Sequence, residues 1–200
     1  MTGSRRYIFV DGGAHQGQSI KWFMRSAIFE KYPWEIFAFE VNPHLILDIN
    51  QPPDLTIVDK AIWVSDGAID FYLAKKTNGS SILRHKKQGG LSKIPIRVGS
   101  INFGKWLEDN FSKSDYILVK FDIEGAEYAV LDQMIADGSM KYVSGLFVEF
   151  HNTMVKIPTS KDAELLNKLK KLGIPCWVCG RFSKLLKEAI INNELGGLVE

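Results

Sequence analysis

Short apolar runs alternate along this chain with stretches in which apolar residues recur three and four positions apart. The runs predict buried strands, and the periodic stretches predict helices. The seven predicted strands are Tyr7–Val10, Glu35–Glu40, Leu55–Ile62, Ile69–Leu73, Tyr116–Phe121, Ser144–Phe150 and Pro175–Cys179. The predicted helices are Gln18–Lys31, Pro43–Asn50, Phe103–Phe111, Ala126–Asp137 and Ser160–Leu172, and the stretch Phe182–Leu195 has helical composition.

Apolar strands that alternate with helices are typical of a parallel sheet covered on both faces. Right-handed connections between such strands produce a doubly wound α/β fold. The chain has 200 residues, which is the length of one domain. We therefore predict a single three-layer domain over residues 1–200, built on a mostly parallel, seven-stranded sheet.

Polar residues follow five of the predicted strands at the carboxyl end. They are Asp11, Glu40, Asp59 with Lys60 and Ala61, Asp122 with Glu124, and Glu149 with His151. Ligands of open α/β sheets bind beyond the carboxyl ends of the strands. Because charged groups at strand ends lose solvation unless something binds them, this pattern predicts a binding site along that edge.

The first of these strand ends is a glycine turn, in the segment VDGGAHQGQSI. Its order of Asp11, Gly13 and Gly17 differs from the glycine motif of dinucleotide folds, and the segment lacks the lysine of phosphate loops. Such a turn lets a ligand approach the backbone closely, although any sharp strand-to-helix turn can use glycines. It suits a ligand with an amino-acid end and a nucleoside end, as S-adenosylmethionine (SAM) has.

Two further strand ends extend this prediction to the nucleoside. Glu40 ends the neighbouring strand, where a carboxylate can accept hydrogen bonds from ribose hydroxyls. The corner formed by Asp59, Lys60 and Ala61 would lie beside the adenine. Asp122 and Glu124, within DIEGAE, would face the space between the cofactor and the acceptor. Glu127 follows in the first turn of a helix, where the helix dipole favours negative charge, so we interpret it as structural.

Five segments occur in an order that resembles the FkbM family of SAM-dependent methyltransferases. The segments are VDGGAHQGQSI, FAFEVNP, DKAIWVSDGAIDFYLAK, NGSSIL and KFDIEGAEYAVL. The resemblance covers about Tyr7 to His151 and implies a class I methyltransferase sheet of the Rossmann-like type. It implies O-methylation of a sugar, glycan or related hydroxyl. His15 stands where family members often have asparagine, which is a departure among the methionine contacts.

The resemblance also assigns residues to the cofactor. Asp11, Gly13 and Gly17 would hold the methionine part of SAM, and Glu40 would hold its ribose. The full set of predicted cofactor contacts is Asp11, Gly13, His15, Gly17, Glu40, Asn42, Asp59, Lys60, Ala61 and Asp122.

An acceptor hydroxyl must lose its proton as it attacks, so a base near the reacting atoms is expected. The predicted catalytic residues are Asp122, Glu124 and His151, with Asp122 and His151 as the candidates for the base. A lone histidine is also a common structural residue. In the alternative that we do not favour, a divalent ion is bound by Asp122, Glu124, Glu149 and His151. The ion would lower the pKa of the acceptor hydroxyl.

The segment Phe71–Leu107 contains eight basic residues and no aspartate or glutamate. We predict a basic loop inserted at about residues 75–100. The predicted acceptor contacts are Ser80, Ser81, Arg84, Lys86, Lys87 and Glu149. Basic residues beside the ligand edge could hold an anionic acceptor, such as a nucleotide-linked sugar. The alternative is a solvated, lysine-rich loop.

Net charge and the distribution of apolar residues argue against two classes of function, general nucleic-acid binding and membrane association. The net charge of +2 is too small to indicate general adhesion to nucleic acid or membranes. Because no apolar run reaches the ~20 residues of a membrane span and no signal peptide is evident, we expect a cytoplasmic protein. Cys176 and Cys179 are interpreted as ordinary buried thiols.

Two other functions stay open. The basic loop fits a nucleic-acid methyltransferase, but the Asn/Asp-Pro-Pro-Tyr/Phe motif of amine methylation is absent from the sequence. The chain could instead be a SAM-binding module without its own activity.

Overall fold

The computed structural model describes residues 5–42, 45, 54–75, 79–87, 89–178 and 184–185. In chain order, the strands are β1 (Tyr7–Gly12), β2 (Trp34–Phe39), β3 (Leu55–Val58), β4 (Lys60–Trp63), β5 (Gly67–Phe71), β6 (Ile96–Asn102), β7 (Tyr116–Phe121), β8 (Gly145–Val148) and β9 (Cys176–Val178). The helices are α1 (Gln18–Met24), α2 (Ala27–Lys31), α3 (Phe103–Asn110), α4 (Glu127–Asp137), α5 (Asn152–Val155) and α6 (Ser160–Lys171), with a 3-10 helix at Ser139–Tyr142.

Six of these strands form a central sheet in the order β3-β2-β1-β7-β8-β9. All five pairings between neighbours in this sheet are parallel. The chain moves outward from β1 to β3 and then returns to place β7 beside β1. The strand order therefore reverses between β1 and β7, which is where ligands bind in open α/β sheets. The predicted doubly wound, mostly parallel fold is confirmed.

Among the described residues the central sheet has six strands and not the predicted seven, and one predicted strand is divided between two sheets. The run Leu55–Ile62 divides at Asp59 into β3, which pairs with β2, and β4, which pairs with β6. Both halves are apolar, so the sequence pattern does not indicate the division. The predicted strand Ile69–Leu73 is also outside the central sheet, because β5 pairs antiparallel with β6. The second sheet has the order β4-β6-β5 among the described residues.

Strand β6 lies in the segment that we predicted as a basic loop at about residues 75–100. Arg97, Gly99 and Ser100 interrupt its apolar residues, so the strand has no continuous apolar run. Ser100 is buried and donates a hydrogen bond to the Ser65 backbone oxygen at 3.0 Å. Residues 96–100, the last part of the predicted loop, therefore belong to the middle strand of the second sheet.

The predicted helix Gln18–Lys31 is two helices, α1 and α2. Ser26 separates them, because its backbone is extended and its Oγ donates to the Phe23 backbone oxygen at 2.5 Å. Serine competes in this way with the hydrogen bonds of a helix. The predicted helices Pro43–Asn50 and Phe182–Leu195 lie almost wholly outside the described residues, as does Cys179.

Two hydrophobic clusters cover the two faces of the central sheet. Phe9 belongs to the cluster that contains Phe23 of α1, whereas its neighbours Ile8 and Val10 belong to the cluster that contains Leu131 of α4. Alternate residues of a strand point to opposite faces, so β1 contributes to both clusters and is buried on both sides. Among the described residues, no helix has the length and apolar character needed to cross a bilayer.

Candidate active site

A cavity of about 410 Å³ opens where β1, β2, β7 and β8 end. Seven of the predicted cofactor contacts line it, namely Gly13, His15, Glu40, Asn42, Lys60, Ala61 and Asp122. Five residues predicted for catalysis or acceptor binding also line it, namely Asp122, Glu124, Glu149, Ser80 and Ser81. The structure thus brings together strand ends that are far apart in the sequence.

The turn after β1 is tied to the end of β2 by backbone hydrogen bonds. The Gly13 and Ala14 N–H groups both donate to the Phe39 oxygen, at 3.1 and 2.9 Å. Gly13 has a φ of 78°, and a Cβ atom there would lie 2.0 Å from the Asp122 backbone oxygen. Only glycine therefore allows the turn to approach the end of β7. Gly17, also left-handed, caps the start of α1 and is not a lining residue.

Glu40 follows β2 and connects two segments, the turn after β1 and the segment after β2. Its two carboxylate oxygens accept hydrogen bonds from the backbone N–H groups of His15 and Asn42, each at 2.8 Å. Burial raises the pKa of Glu40, although these backbone hydrogen bonds act in the opposite direction. Each oxygen keeps a lone pair, so the carboxylate can still accept hydrogen bonds from a ligand in the cavity.

Asp11 lies behind the cavity wall. Its side chain is wholly buried, accepts a hydrogen bond from the Ser19 hydroxyl and lies 3.0 Å from Lys120 Nζ. Lys120 and Ser19 do line the cavity. The carboxylate of Asp11 therefore acts through these two side chains.

Lys120 is a residue of the site that the sequence analysis missed. Its Nζ also donates to the Gly13 oxygen at 3.2 Å and lies 3.7 Å from Asp122 Oδ2. It thus joins the turn after β1 to the end of β7. The available signal was a lysine within the otherwise apolar strand YILVKF.

Asp122, Glu149 and His151 form one group at the ends of β7 and β8. One side-chain ligand atom from each lies within 4.8 Å of the other two. His151 Nε2 is 3.7 Å from Asp122 Oδ1 and 3.5 Å from Glu124 Oε2. Burial raises the pKa of Glu149, and the charge of Asp122 raises it further. We call Asp122, Glu149 and His151 the acid–histidine trio.

Glu127 orients the histidine of this trio. It is wholly buried in the first turn of α4, where one oxygen accepts from the Gly125 N–H at 2.6 Å. This confirms its predicted structural role at the helix start. Its other oxygen, Oε1, bonds to His151 Nδ1, a contact that the sequence did not indicate.

Several carboxylates determine the charge of His151, which is itself buried. Burial lowers its pKa, but the hydrogen bond with Glu127 and the charges of Glu127, Glu124 and Asp122 outweigh burial and raise the pKa to about 9. In the absence of another cation the imidazole is therefore protonated at neutral pH. A protonated imidazole cannot accept a proton, so Asp122 is the better placed of the two predicted bases.

Lys86 is held inside the protein by Glu124. Its side chain is only 1% exposed, and its Nζ donates to Glu124 Oε2 and, at 2.8 Å, to the Gly79 backbone oxygen. The Ser81 hydroxyl donates to the Glu124 backbone oxygen at 2.8 Å. The predicted acceptor contact Lys86 is thus part of the support of Glu124.

The other predicted contacts with charged side chains lie outside the cavity wall. Arg84 and Lys87 are exposed and are not lining residues. Asp59 is exposed in the link between β3 and β4 and is not a lining residue either.

Comparison with models of protein families identifies the family of this chain. The model of the methyltransferase FkbM domain matches residues 11–174, which is most of the sequence. The chain belongs to the FkbM methyltransferase family. The resemblance described above is therefore confirmed, and the chain is a methyltransferase. No curated protein and no solved structure gives a significant match to it.

The match places the whole cavity inside the FkbM domain. It begins at Asp11 and ends at Ile174, so it includes the glycine turn, Glu40 and the acid–histidine trio. It also includes the second sheet, from which Lys60 and Ala61 of β4 line the cavity. The residues that line this cavity therefore all belong to the FkbM domain.

Proposed function

We propose that this FkbM methyltransferase transfers the methyl group of SAM to a hydroxyl group of a sugar, a glycan or a related small molecule. The observation that carries the proposal is one cavity with two chemically different ends. At one end a glycine turn and Glu40 meet, and at the other end lie Asp122 and Glu149 of the acid–histidine trio. Its volume of about 410 Å³ is in the range of small-molecule sites, roughly 300–1,000 Å³.

The residues at the first end fit SAM. Glu40 offers two fixed oxygens, which suit the two hydroxyls of a ribose. His15 lines the cavity, and its Nε2 is buried without a hydrogen-bond partner among the described residues. Buried nitrogens of this kind normally have a partner, and a polar group of the ligand would supply it. Lys120 provides a positive charge where the methionine carboxylate would lie.

The adenine fits beside β4. Lys60 and the small residue Ala61 line that part of the cavity, and Ile62 and Phe71 add apolar surface. A flat aromatic base gains from such a surface, while backbone groups can recognise its amine.

The residues at the other end prepare the acceptor. When bound, SAM supplies a sulfonium methyl group, which the acceptor oxygen takes as the carbon–sulfur bond breaks and its electron pair goes to sulfur. Asp122 lines the cavity and is about one-third exposed, so it can receive the hydroxyl proton. Glu149 lines the same wall and can hold a second hydroxyl. Alignment of the acceptor in this closed site supplies a large part of the acceleration.

The charge of the acceptor end favours a neutral reacting group. Asp122, Glu124 and Glu149 all line it, and an anion beside three carboxylates would be repelled. Any phosphate of the acceptor would therefore lie farther out, toward the exposed Arg84 and Lys87. A neutral sugar hydroxyl that is linked to an anionic carrier would place the reacting group beside the carboxylates and the negative charge near Arg84 and Lys87.

Calorimetry tests the cofactor assignment first. The wild-type chain should bind SAM, and Glu40→Gln should weaken binding about tenfold or more, because the amide NH₂ cannot accept hydrogen bonds. Glu35→Gln, on the strand that precedes Glu40, is a matched control, because Glu35 pairs with Arg6 and does not line the cavity. Folded wild-type protein that does not bind SAM would overturn the proposal.

Turnover then tests the acceptor class. Purified chain with methyl-labelled SAM should label a hydroxyl in a panel of sugars, sugar nucleotides and polyols. DNA and RNA in the same panel test the nucleic-acid alternative. Cofactor binding without transfer to any acceptor would favour the SAM-binding module instead.

A further inference from the structure

The acid–histidine trio is arranged as a set of ligands that face one point. Its members come from the ends of two neighbouring strands, with Asp122 after β7 and Glu149 and His151 after β8. Their ligand atoms lie within 4.8 Å of one another. Two ligands on opposite sides of an octahedral Mg²⁺ are about 4 Å apart, since each bond is about 2.1 Å long. Small side-chain rotations therefore suffice to place all three around one ion.

The orientation of His151 is the second observation. The side chain is only 4% exposed, yet among the described residues its Nε2 makes no hydrogen bond. Glu127, wholly buried, holds Nδ1 on the opposite side of the ring. Histidines that bind metals are held in this way, with one nitrogen bonded to a carboxylate and the other directed to the metal. The stability of α4 alone would not require this arrangement, in which the buried carboxylate of Glu127 directs the imidazole of His151 toward the carboxylates of Asp122 and Glu124.

The balance of charge around the trio also favours a dication. Lys86 pairs with Glu124, and Lys120 lies nearest to Asp11. The carboxylates of Asp122, Glu127 and Glu149 then share the imidazole of His151 and a longer contact of 3.7 Å between Asp122 and Lys120. A divalent cation at the trio would compensate the excess negative charge.

We propose that Asp122, Glu149 and His151 bind one divalent cation, with Glu127 as the positioning residue of the histidine. Two carboxylate oxygens and one imidazole nitrogen suit Mn²⁺, with Mg²⁺ as the alternative ion of the same class. Three protein ligands leave positions of an octahedral ion open for water and for an acceptor oxygen.

This inference deepens the proposed function, on which its catalytic part rests. An acceptor hydroxyl bound to the ion has a lowered pKa and loses its proton more readily. Asp122 would bind the ion through Oδ1, which faces His151, while Oδ2 faces Lys120. Oδ2 then stays available for the proton, so Asp122 keeps its part in the transfer.

Titration with Mn²⁺ alone, followed by electron paramagnetic resonance, tests the site without SAM or acceptor. The wild-type chain should show one saturable site. Glu149→Gln and His151→Gln should each weaken binding about 100-fold or more, because each removes a ligand. Glu127→Gln should weaken it about 10- to 100-fold, the usual effect of losing an outer partner. Glu108→Gln, an exposed carboxylate on α3, is the control and should bind like the wild type.

Thermal unfolding of each variant shows whether it is folded. If a ligand variant does not fold, nuclear magnetic resonance of the wild type decides. Mn²⁺ should then broaden the imidazole signals of His151 before those of the other histidines, of which the chain has four in all. Wild-type protein without saturable binding, ligand variants that bind like wild type, or broadening that begins at another histidine would each overturn the inference. SAM binding is measured separately. Loss of metal binding with intact SAM binding would overturn this inference and leave the proposed function in place.

Discussion

At one end of the cavity the walls are held by backbone, whereas at the other end they are made of charged side chains. The cofactor end depends on the glycine turn, whose N–H groups bond to the end of β2, and on Glu40, which accepts from two more N–H groups. The acceptor end depends on Asp122, Glu149 and His151, which face one another across a few ångströms. Substitutions at the two ends should therefore have different consequences.

A site built from backbone is inseparable from the fold. Gly13 touches the end of β7 so closely that any side chain there meets the Asp122 backbone oxygen. A site built from side chains can lose its chemistry while the fold survives. Four predictions test this difference through turnover, ligand binding or stability.

The largest expected effect is that of Asp122→Asn on turnover. The amide keeps the size of the carboxylate and removes its basicity, so turnover should fall by about two to four orders of magnitude. SAM affinity and the free energy of unfolding should change little, because Glu40 and the glycine turn are untouched. Asp109→Asn, exposed on α3, is the control. Full turnover in Asp122→Asn would move the base to another residue of the trio.

The second prediction concerns the backbone end and compares two glycines of equal conformation. Gly13 and Gly138 have φ values of 78° and 79°, but a Cβ at Gly138 meets nothing within 4 Å. Gly138→Ala should cost about 1–2 kcal/mol for the left-handed conformation alone. Gly13→Ala should cost about 3 kcal/mol more, from its contact with β7, and should lose SAM binding as well. Urea unfolding measures both costs, and equal costs would contradict the backbone explanation.

The third prediction concerns pH in the absence of added metal. The folded-state pKa of His151 is raised from 6.5 to about 9. The group therefore contributes stability that is fully present below pH 6.5 and is lost as pH rises through about 9. The contribution is about 3 kcal/mol, since one unit of pKa corresponds to about 1.4 kcal/mol. The free energy of unfolding, measured across this pH range, should decrease in the wild type and in the control His85→Gln, but not in His151→Gln. A wild-type free energy of unfolding that does not decrease would contradict the assignment.

The smallest effect is expected at Arg84 and Lys87, which are exposed and lie outside the cavity wall. Arg84→Gln and Lys87→Gln should each raise the KM of an anionic acceptor about threefold to tenfold, without changing SAM affinity, since exposed charges contribute little. Lys86→Gln should differ, because it leaves Glu124 without its buried partner and should lower the melting temperature. Steady-state kinetics and thermal unfolding separate these outcomes. Unchanged KM values for both exposed variants would leave the segment as a solvated loop.

The central part of the fold could be predicted from the sequence. β1 and β7 are apolar along their length because both faces are covered, and such runs have few other interpretations. The division between β3 and β4 could not be predicted, since apolar character does not identify the partner strand. β6 was missed for a related reason, because Ser100 is buried by neighbours that the sequence does not reveal.

The site was predictable as far as it depends on strand ends. Glu40, Asp122 and Glu149 each follow a strand directly and were found in this way. The contact of Glu127 with His151 joins positions that are 24 residues apart, so no local pattern indicates it. The burial of Lys86 depends likewise on Glu124, 38 residues away.

The position of β1 in the middle of the sheet has a consequence for the synthesis of the protein. Its partner β7 lies far along the chain, since Lys120 and Gly13 are 107 residues apart. Translation at about 5–20 residues per second places about 5–20 s between the two strands leaving the ribosome. During that time one edge of an almost wholly apolar strand has no partner, and such edges pair with other chains. The nascent chain therefore needs protection from aggregation until β7 arrives.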